Sequence, residues 1–429
     1  MTRSITGLLL AFSIPVIAHA QQPDFTTFSN AFVKGYQSLN LPSLQLSYVT
    51  NLEHIQSPDG IREQLAFFKE MDSRLKLFRP NQLDSIQRDD YLLARYETEL
   101  NLERLSLEQQ WTKPATGIPA TGLYTLPNSK AWYAYFLKKW VAATVTPDEI
   151  YQFGLQEVEK VKQKIAAIQI ASGMDEASFY KHLNDPSFFI QGADNTQHAF
   201  ENTRQIILNN LPKLFYPTAI PPIAIRKGAD EALAQTPGYY SGNTFYFNFF
   251  DKPYNNRQVD WLFIHEGIPG HHYQASLAAQ ANRSPMQQLF YYLGFSEGWA
   301  AYTESLGKEL GVYKTLYDEL GKWEWDLVRS VRVPLDVGLN YYGWTDEQAM
   351  TFWKEHIRNQ DDIALREITR MKRWPAQVVT YKYGAAQIEK WKTTLQHHHQ
   401  FDIKRFHQQL LEKGSLPLFM VAKHVLGEG

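Results

Sequence analysis

The chain has 429 residues and a formal net charge of −2, and 44% of its residues are hydrophobic and 14% aromatic. This composition allows a large hydrophobic core and gives no general attraction to nucleic acids or to anionic membranes. There is no cysteine, which excludes disulfide bonds, thiol catalysis and attachment of a lipid through a cysteine.

An export signal is predicted for residues 1–20. Arg3 precedes an apolar run over residues 8–17, and the Ala-His-Ala sequence at 18–20 fits a signal-peptidase site. The run is too short to span a bilayer, and no later stretch reaches the ~18 apolar residues that a membrane helix needs. We therefore expect an exported, soluble protein that begins at Gln21, with no stable membrane insertion. In a Gram-negative organism its location would be the periplasm.

Residues 21–429 are predicted to form a single, mainly helical domain, because no linker rich in Ser, Gly or Pro and no internal repeat interrupts them. Thr146 as N-cap with Pro147 in the first turn marks one helix start, and Thr345 precedes another. Apolar residues recur with helical spacing in the stretches 85–109, 129–143, 147–171, 197–212, 286–310, 312–340 and 375–396.

A small β-sheet is predicted just before residue 259. Its strands are residues 223–226, 239–240 and 244–247, separated by Pro- and Gly-containing turns. An edge strand of such a sheet can hold an extended peptide through backbone hydrogen bonds.

Residues 265–272 read H-E-G-I-P-G-H-H. In zinc hydrolases, imidazoles hold the ion and a neighbouring carboxylate takes a proton from the metal-bound water. Glu266 is the candidate for that carboxylate here. The usual motif is H-E-x-x-H, with both histidines on one helix face. Here His271 and His272 follow His265 by six and seven residues. In a straight helix neither would close on one ion with His265.

The Pro-Gly pair in the gap changes that expectation. Pro269 cannot donate a backbone hydrogen bond and Gly270 tolerates unusual backbone angles, so the helix is predicted to break or bulge there. Such a bulge would bring His271 back beside His265. His271 is therefore the preferred second ligand, with His272 as the alternative. The competing interpretation is a buried histidine cluster next to a turn.

A third ligand is expected from another segment, since catalytic zinc usually has three protein ligands and one open position. Residues 295–304 read F-S-E-G-W-A-A-Y-T-E, and Glu297 lies there among apolar residues. Glu297 is the predicted ligand, on a second helix packed against the first. Glu304 is either a competing ligand or a carboxylate that orients a ligand histidine. The alternative for Glu297 is a carboxylate on a helix surface.

The motif H-E-x-x-P-G-H-H followed by E-G-W-A-x-Y-x-E resembles the bacterial family called domain of unknown function 885, a set of predicted zinc peptidases. The resemblance implies a gluzincin on a large helical fold like that of the oligopeptidases. It implies His265, His271 and Glu297 as ligands of one Zn²⁺ and Glu266 as the general base. Weaker matches to the family, in the order that the family has them, lie on both sides of this motif at residues 146–158, 238–240, 245–248, 336–349 and 374–384.

Two positions depart from the family pattern, which usually has His at Asn340 and Gly at Ala376. If that His binds substrate or the oxyanion, Asn340 can still donate a hydrogen bond but carries no charge. The resemblance then implies an altered or narrower activity. Asn248, which ends one of the matched strand motifs, is a further candidate for substrate binding.

Other candidates lie near the C-terminus. Tyr381 matches a tyrosine of the family, and it or Tyr383 could stabilise an oxyanion, although both could equally be core or surface residues. Arg366 and Arg370, four apart on a predicted helix, either bind a substrate carboxylate or form a solvated face. The histidines at 397–399 are predicted to form a polar turn and not a site.

The function predicted from these residues is that of an exported zinc metallopeptidase, which acts on a peptide substrate with Glu266 as general base. One alternative is a degenerate protein that keeps the fold to bind peptides, which Asn340 favours. Another is hydrolysis of a non-peptide amide. The complete His-Glu-His-Glu set favours an enzyme, because binding alone does not require Glu266.

Overall fold

The computed structural model describes residues 24–41, 48–119, 121–141, 144–229, 236–249, 253–358, 360–397 and 401–427. The predicted signal peptide lies outside these residues. The described chain is mainly α-helical, as predicted, with two small sheets. Among the described helices, none combines the length and the apolarity that crossing a bilayer requires.

Within the described residues, eight α-helices precede the main sheet: α1 (Phe25–Ser38), α2 (Tyr48–Glu53), α3 (Pro58–Leu75), α4 (Ser85–Gln109), α5 (Ser129–Val141), α6 (Pro147–Ala171), α7 (Glu176–His182) and α8 (Ala193–Asn210). The helices that follow it are α9 (Val259–Glu266), α10 (His271–Gln280), α11 (Pro285–Gln288), α12 (Leu293–Thr303), α13 (Leu316–Val337), α14 (Asp346–His356), α15 (Asp361–Arg373), α16 (Val379–Gln396), α17 (Ile403–Leu411) and α18 (Leu418–Leu426). A π-helical turn, Gly338–Tyr342, continues α13.

The start of α6 shows how local sequence determines a helix boundary. Thr146 Oγ1 accepts from the Glu149 N–H at 3.2 Å, and Glu149 Oε2 accepts from the Thr146 N–H at 2.7 Å. Pro147 occupies the first turn, where its missing N–H costs nothing. This capping box confirms the predicted start, and Thr345 caps α14 in the same way.

The predicted helical stretch 286–310 is interrupted, because distant residues hold the chain between α11 and α12. The Tyr292 N–H donates to Ser415 Oγ at 2.8 Å, and its hydroxyl donates to Glu97 Oε1 at 2.6 Å. The Ser415 bond replaces the main-chain hydrogen bond that a continuous helix would give the Tyr292 N–H, and the Glu97 bond holds the side chain. A new helix, α12, therefore begins at Leu293.

The main sheet has the order β2 (Ala224–Lys227), β4 (Thr244–Phe247) and β3 (Gly238–Ser241), with β2 parallel and β3 antiparallel to β4. It confirms the predicted strands within two residues. Gly242 and Asn243 both have positive φ and join β3 to β4 in a tight hairpin turn. A second pair, β1 (Phe189–Ile190) with β5 (Tyr254–Asn255), was not predicted, since two-residue strands show no alternation.

Helices α12 and α16 approach each other to backbone contact through glycines. A Cβ atom at Gly298 would lie 2.5 Å from the Cα of Gly384, and one at Gly384 would lie 2.1 Å from the Gly294 carbonyl oxygen. Only glycine allows so close an approach. The contact brings together the segments that carry Glu297 on α12 and Tyr381 on α16.

Ala376, in the loop between α15 and α16, has a left-handed backbone with φ of 67° and is fully buried. Its N–H donates to Asp336 Oδ2 at 2.8 Å, which holds the loop in this conformation. The left-handed region costs an L-residue with a Cβ roughly 1–2 kcal/mol. The family resemblance described above implies Gly at this position.

Replacing Ala376 by Gly is expected to leave the free energy of unfolding nearly unchanged. The relief of ~1–2 kcal/mol of left-handed strain offsets the ~0.5–1 kcal/mol that glycine's extra backbone freedom costs and the ~0.8 kcal/mol lost with the buried methyl group. Urea denaturation followed by circular dichroism measures the change. The matched control is Ala167→Gly, at an exposed position in the C-terminal part of α6, which should lose ~1 kcal/mol. An equal loss at both positions would contradict the strain argument.

Candidate metal centre

His265, His271 and Glu297 converge from three helices. His265 lies in the last turn of α9, His271 begins α10 and Glu297 lies on α12. Glu297 Oε2 is 3.3 Å from His271 Nε2 and 3.7 Å from His265 Nε2. One ligand atom from each residue lies within 4.8 Å of the others, so the three surround a space that can hold one metal ion.

The expected break in the helix is present and explains how His271 returns to His265. Helix α9 ends at Glu266, and the Gly270 N–H donates to the Ile264 carbonyl oxygen at 2.9 Å. A Cβ atom at Gly270 would lie 1.9 Å from the His265 carbonyl oxygen. The turn therefore requires glycine at position 270.

His272 is directed away from this centre and towards the sheet. It is fully buried, with Nε2 at 2.9 Å from the Pro221 carbonyl oxygen and Nδ1 at 3.3 Å from the Tyr240 hydroxyl. Burial lowers the pKa of His272, so the ring is neutral and joins α10 to β3. Of the two adjacent histidines, the structure places His271 with His265 and Glu297.

Glu304 and Arg329 fix the orientation of His265. Glu304 is fully buried, and its Oε1 lies 2.8 Å from His265 Nδ1. Arg329 Nη1 donates to both Glu304 oxygens at 2.6 Å. Arg329 Nη2 also lies 3.3 Å from His265 Nδ1, but the shorter contact with an acceptor assigns the proton to Nδ1. With Nδ1 directed to Glu304, Nε2 would present its lone pair to the centre once it loses its proton to a bound metal ion.

Arg329 was not predicted from the sequence. Its guanidinium lies between two aromatic rings, 5.6 Å from the centroid of Trp261 and 5.7 Å from that of Tyr381. A charged side chain in the apolar stretch of α13, beside Val328 and Val331, was the available signal. Such an arginine needs a buried carboxylate as partner, and here the partner is Glu304.

The charges of the centre keep Glu297 ionised. Burial would raise the pKa of Glu297, but the charges and hydrogen bonds of His271 and His265 outweigh it and hold the pKa well below its usual range. Burial lowers the pKa of His265, whereas hydrogen bonds to Glu297 and Glu304 raise it to about 9. Glu266 is next to the centre, and burial raises its pKa. The carboxylate that contacts both histidines is thus a ready ligand.

Tyr381 lies over the centre, its ring parallel to that of His265 at 6.3 Å between centroids. Arg370 Nη2 donates to the Tyr381 hydroxyl at 3.1 Å and to Gln377 Oε1 at 2.9 Å. Since a guanidinium only donates, the Tyr381 oxygen accepts and its own proton is free to bond a further acceptor. Arg370 therefore lies beside the centre. It does not belong to a solvated helix face, which was the alternative prediction.

Asn340 is buried in the π-helical turn and bonds away from the centre. Its Nδ2 donates to the Met371 carbonyl oxygen at 3.1 Å and lies 3.3 Å from Asp336 Oδ1. Asp336 also accepts from the Tyr133 hydroxyl at 2.7 Å, and burial raises its pKa to about 7. Both departures from the family pattern, Asn340 and Ala376, thus contact the same buried carboxylate.

Two other predicted residues also lie in different surroundings. Tyr383 packs edge-on against Phe153 at 5.5 Å in the hydrophobic core. Asn248 follows β4, where its Nδ2 donates to the Thr236 carbonyl oxygen at 2.7 Å. Within the described part of the chain, none of these contacts involves His265, His271 or Glu297.

Tyr291 is a neighbour of the centre that sequence reasoning missed. Its ring is 47% exposed, and its hydroxyl bonds Ser296, which in turn donates to Gln274 Oε1 at 2.9 Å. Burial of the hydroxyl, with a contribution from the negative charge of Glu297, raises the pKa of Tyr291 to about 12. In a chain with 24 tyrosines, no local pattern distinguished this one.

Residues 113–425 match the family described as "Bacterial protein of unknown function (DUF885)", and the chain belongs to this family. No curated protein matches it. It is similar to the "putative lipoprotein" from Colwellia psychrerythraea, with 21% identity, a TM-score of 0.67 and coverage of 95% of this chain and 70% of that one. It is also similar to a "putative lipoprotein of unknown function" from Shewanella oneidensis, with 18% identity, a TM-score of 0.73 and coverage of 94% and 100%. These likenesses show a shared fold.

Proposed function

We propose that this protein is an exported zinc-dependent peptidase of the gluzincin type. The observation that carries the proposal is the convergence of His265, His271 and Glu297, with Glu266 beside them. Two imidazole nitrogens and one carboxylate oxygen are the donor set of many catalytic zinc sites, which keep one position open. The bond from His265 Nδ1 to Glu304 fits this assignment, because ligand histidines usually donate their second N–H to a carboxylate.

A zinc ion held by these three side chains would supply a Lewis acid that polarises a carbonyl group and acidifies a water molecule. Glu266 accepts the proton of the attacking water and returns it to the leaving amine. Its raised pKa, caused by burial, suits a group that must both take and give a proton. Tyr381 donates its hydroxyl proton to the developing oxyanion, while Arg370 holds the phenol in place.

Export is supported by the predicted signal at residues 1–20 and by the similar proteins, both named as "putative lipoproteins". Lipoproteins pass through the export machinery. In a Gram-negative organism the proposed location is the periplasm, where the substrates would be peptides.

The decisive experiment combines metal analysis of the purified protein with digestion of a peptide library. We expect about one zinc per chain and cleavage that a chelator abolishes and added zinc restores. A protein that binds peptides without cleaving them would instead be the degenerate form favoured by Asn340. Cleavage of non-peptide amides alone would point to the third candidate.

Replacing Glu304 by Gln is expected to weaken zinc binding about 10- to 100-fold, because His265 would then donate to a neutral amide and no longer to a carboxylate. Competition with a chromophoric chelator measures the affinity. The protein should also be less stable, since Arg329 is left buried without a carboxylate. The matched control is Glu309→Gln, an exposed position five residues further on. Unchanged zinc affinity in Glu304→Gln would contradict the orienting role.

A further inference from the structure

Three arginines act on a single carboxylate near the candidate centre, two of them by direct contact. Arg332 Nη2 donates to Glu367 Oε1 at 2.7 Å, and Arg370 Nη1 lies 4.0 Å from Glu367 Oε2. Arg366, on the same helix, also acts on this carboxylate electrostatically. We call Arg332, Arg366 and Arg370 the arginine cluster. The three arginines carry three positive charges and Glu367 carries one negative charge, so the group has an excess of positive charge, with a formal net charge of +2.

The excess acts in a buried environment. The side chains of Arg332 and Glu367 are 3% and 4% exposed. Burial alone would raise the pKa of Glu367, but the three guanidiniums outweigh it and lower the pKa. Burial and the neighbouring charge of Arg370 lower the pKa of Arg332 to about 10, although Glu367 opposes this. Electrostatic attraction is strong in such surroundings, so an anion placed here would be held firmly.

Arg370 connects the cluster to the reacting groups. It bonds the Tyr381 hydroxyl, and Tyr381 stacks on His265. Burial lowers the pKa of Arg370, but the interactions with Tyr381 and Glu367, and to a smaller extent the charge of Glu297, raise it above its usual range. The Arg370 side chain is 26% exposed, and within the described residues its Nη1 makes no hydrogen bond. Arg370 is thus the member of the cluster that is partly exposed and also bonds Tyr381.

The carboxylates of the centre do not neutralise this excess. A divalent cation between His265, His271 and Glu297 would itself offset the charges of Glu266 and Glu297. Glu304 is already paired with Arg329. The arginine cluster therefore has charge left for a partner that the described chain does not provide.

We propose that Arg370 binds a carboxylate of the substrate, so that this enzyme prefers peptides carrying a carboxylate close to the scissile bond. The proposal rests on the proposed peptidase function. A guanidinium matches the planar carboxylate in shape and charge, and Nη1, which lies 4.0 Å from Glu367 Oε2 without a hydrogen bond, supplies donors. The carboxylate has two sources, the C-terminus of the peptide or an Asp or Glu side chain, and their chemistry at Arg370 is the same.

The test compares matched peptides on the zinc-loaded protein. One pair differs only in a free or amidated C-terminus, and a second, amidated pair differs only in Glu or Gln near the cleaved bond. We expect kcat/KM to be about 10- to 100-fold higher for the carboxylate-bearing member of at least one pair. A response of the first pair identifies the terminal carboxylate, and a response of the second identifies a side chain. Equal rates within both pairs would overturn the proposal.

Variants separate carboxylate binding from support of Tyr381. Arg370→Gln should remove the preference mainly through KM, and Arg370→Lys should keep part of it because the charge remains. Arg373→Gln, an exposed position on the same helix, is the control and should keep the full preference. If Arg370→Gln lowers kcat equally for every peptide and leaves the preference intact, Arg370 only positions Tyr381.

A measurement without turnover keeps the two proposals distinguishable. The same peptide pairs are titrated calorimetrically into Glu266→Gln protein, with and without the additional Arg370→Gln change. Tighter binding of the carboxylate-bearing peptides that disappears with Arg370 supports the inference even if wild-type protein cleaves nothing. In that outcome the peptidase function alone fails. If the two peptides of each pair bind with equal affinity while the wild type hydrolyses peptides, the carboxylate site is wrong and the peptidase function stands.

Discussion

Glu266→Gln protein is expected to hydrolyse peptides at least ~10²–10⁴-fold more slowly than the wild type while it keeps its zinc. Glu266 ends α9 next to the centre but is not among the three residues whose ligand atoms converge. Glutamine keeps the size and the hydrogen-bonding capacity of the side chain but cannot accept the proton of the water. The loss should therefore appear in kcat, with KM little changed. Steady-state kinetics together with elemental analysis measures both.

The control for this substitution is Glu63→Gln on the exposed face of α3, which should leave kcat and zinc content unchanged. Equal hydrolysis by wild type and Glu266→Gln would remove Glu266 from the mechanism. A zinc-loaded wild type that cleaves no peptide, and whose peptide affinity the substitution does not alter, would favour the peptide-binding protein.

Two neighbouring histidines provide the second large effect. His271→Ala is expected to weaken zinc binding about 10²–10³-fold, since each ligand of a four-ligand site contributes about a quarter of the ~10–16 kcal/mol typical of structural zinc. His272→Ala should keep the metal and lower the free energy of unfolding by about 1–3 kcal/mol. It removes a fully buried imidazole together with its bond to the Pro221 carbonyl oxygen. Zinc titration and urea denaturation of both proteins measure these changes.

Each variant is the control of the other, because the two substitutions are identical and adjacent. The result that contradicts the assignment is loss of zinc in His272→Ala with retention in His271→Ala. Exchange of the two roles would mean that the turn after α9 brings the other ring to His265.

The sequence was most informative where a structure is determined locally. Helix α6 runs over the predicted residues 147–171, because its start is a capping box and its apolar spacing is regular. The strands next to the hairpin turn at Gly242 were found by their turn residues. The break between α11 and α12 was missed because Tyr292 is held by Ser415 and Glu97, which are distant in the chain. Local patterns carry no record of such partners.

The same distinction holds for the candidate centre. The convergence of His265, His271 and Glu297 could be anticipated, since the Pro-Gly pair predicted the turn and the ligand residues have characteristic chemistry. The partners that orient them could not. Arg329 reaches Glu304 from another helix, and whether Arg370 faces solvent or Tyr381 depends on how α15 packs against α16. The orientations of Arg329 and Arg370 are determined by tertiary packing and not by local sequence.

The glycine contact between α12 and α16 also bears on how this protein can diverge. Since Gly298 and Gly384 touch through main-chain atoms, side-chain rotamers do not set the spacing of the two helices. Side chains beside the candidate centre that take no part in this contact, such as Tyr291, can therefore be exchanged without altering that spacing. By contrast, a single added methyl group at either glycine would push the two helices apart.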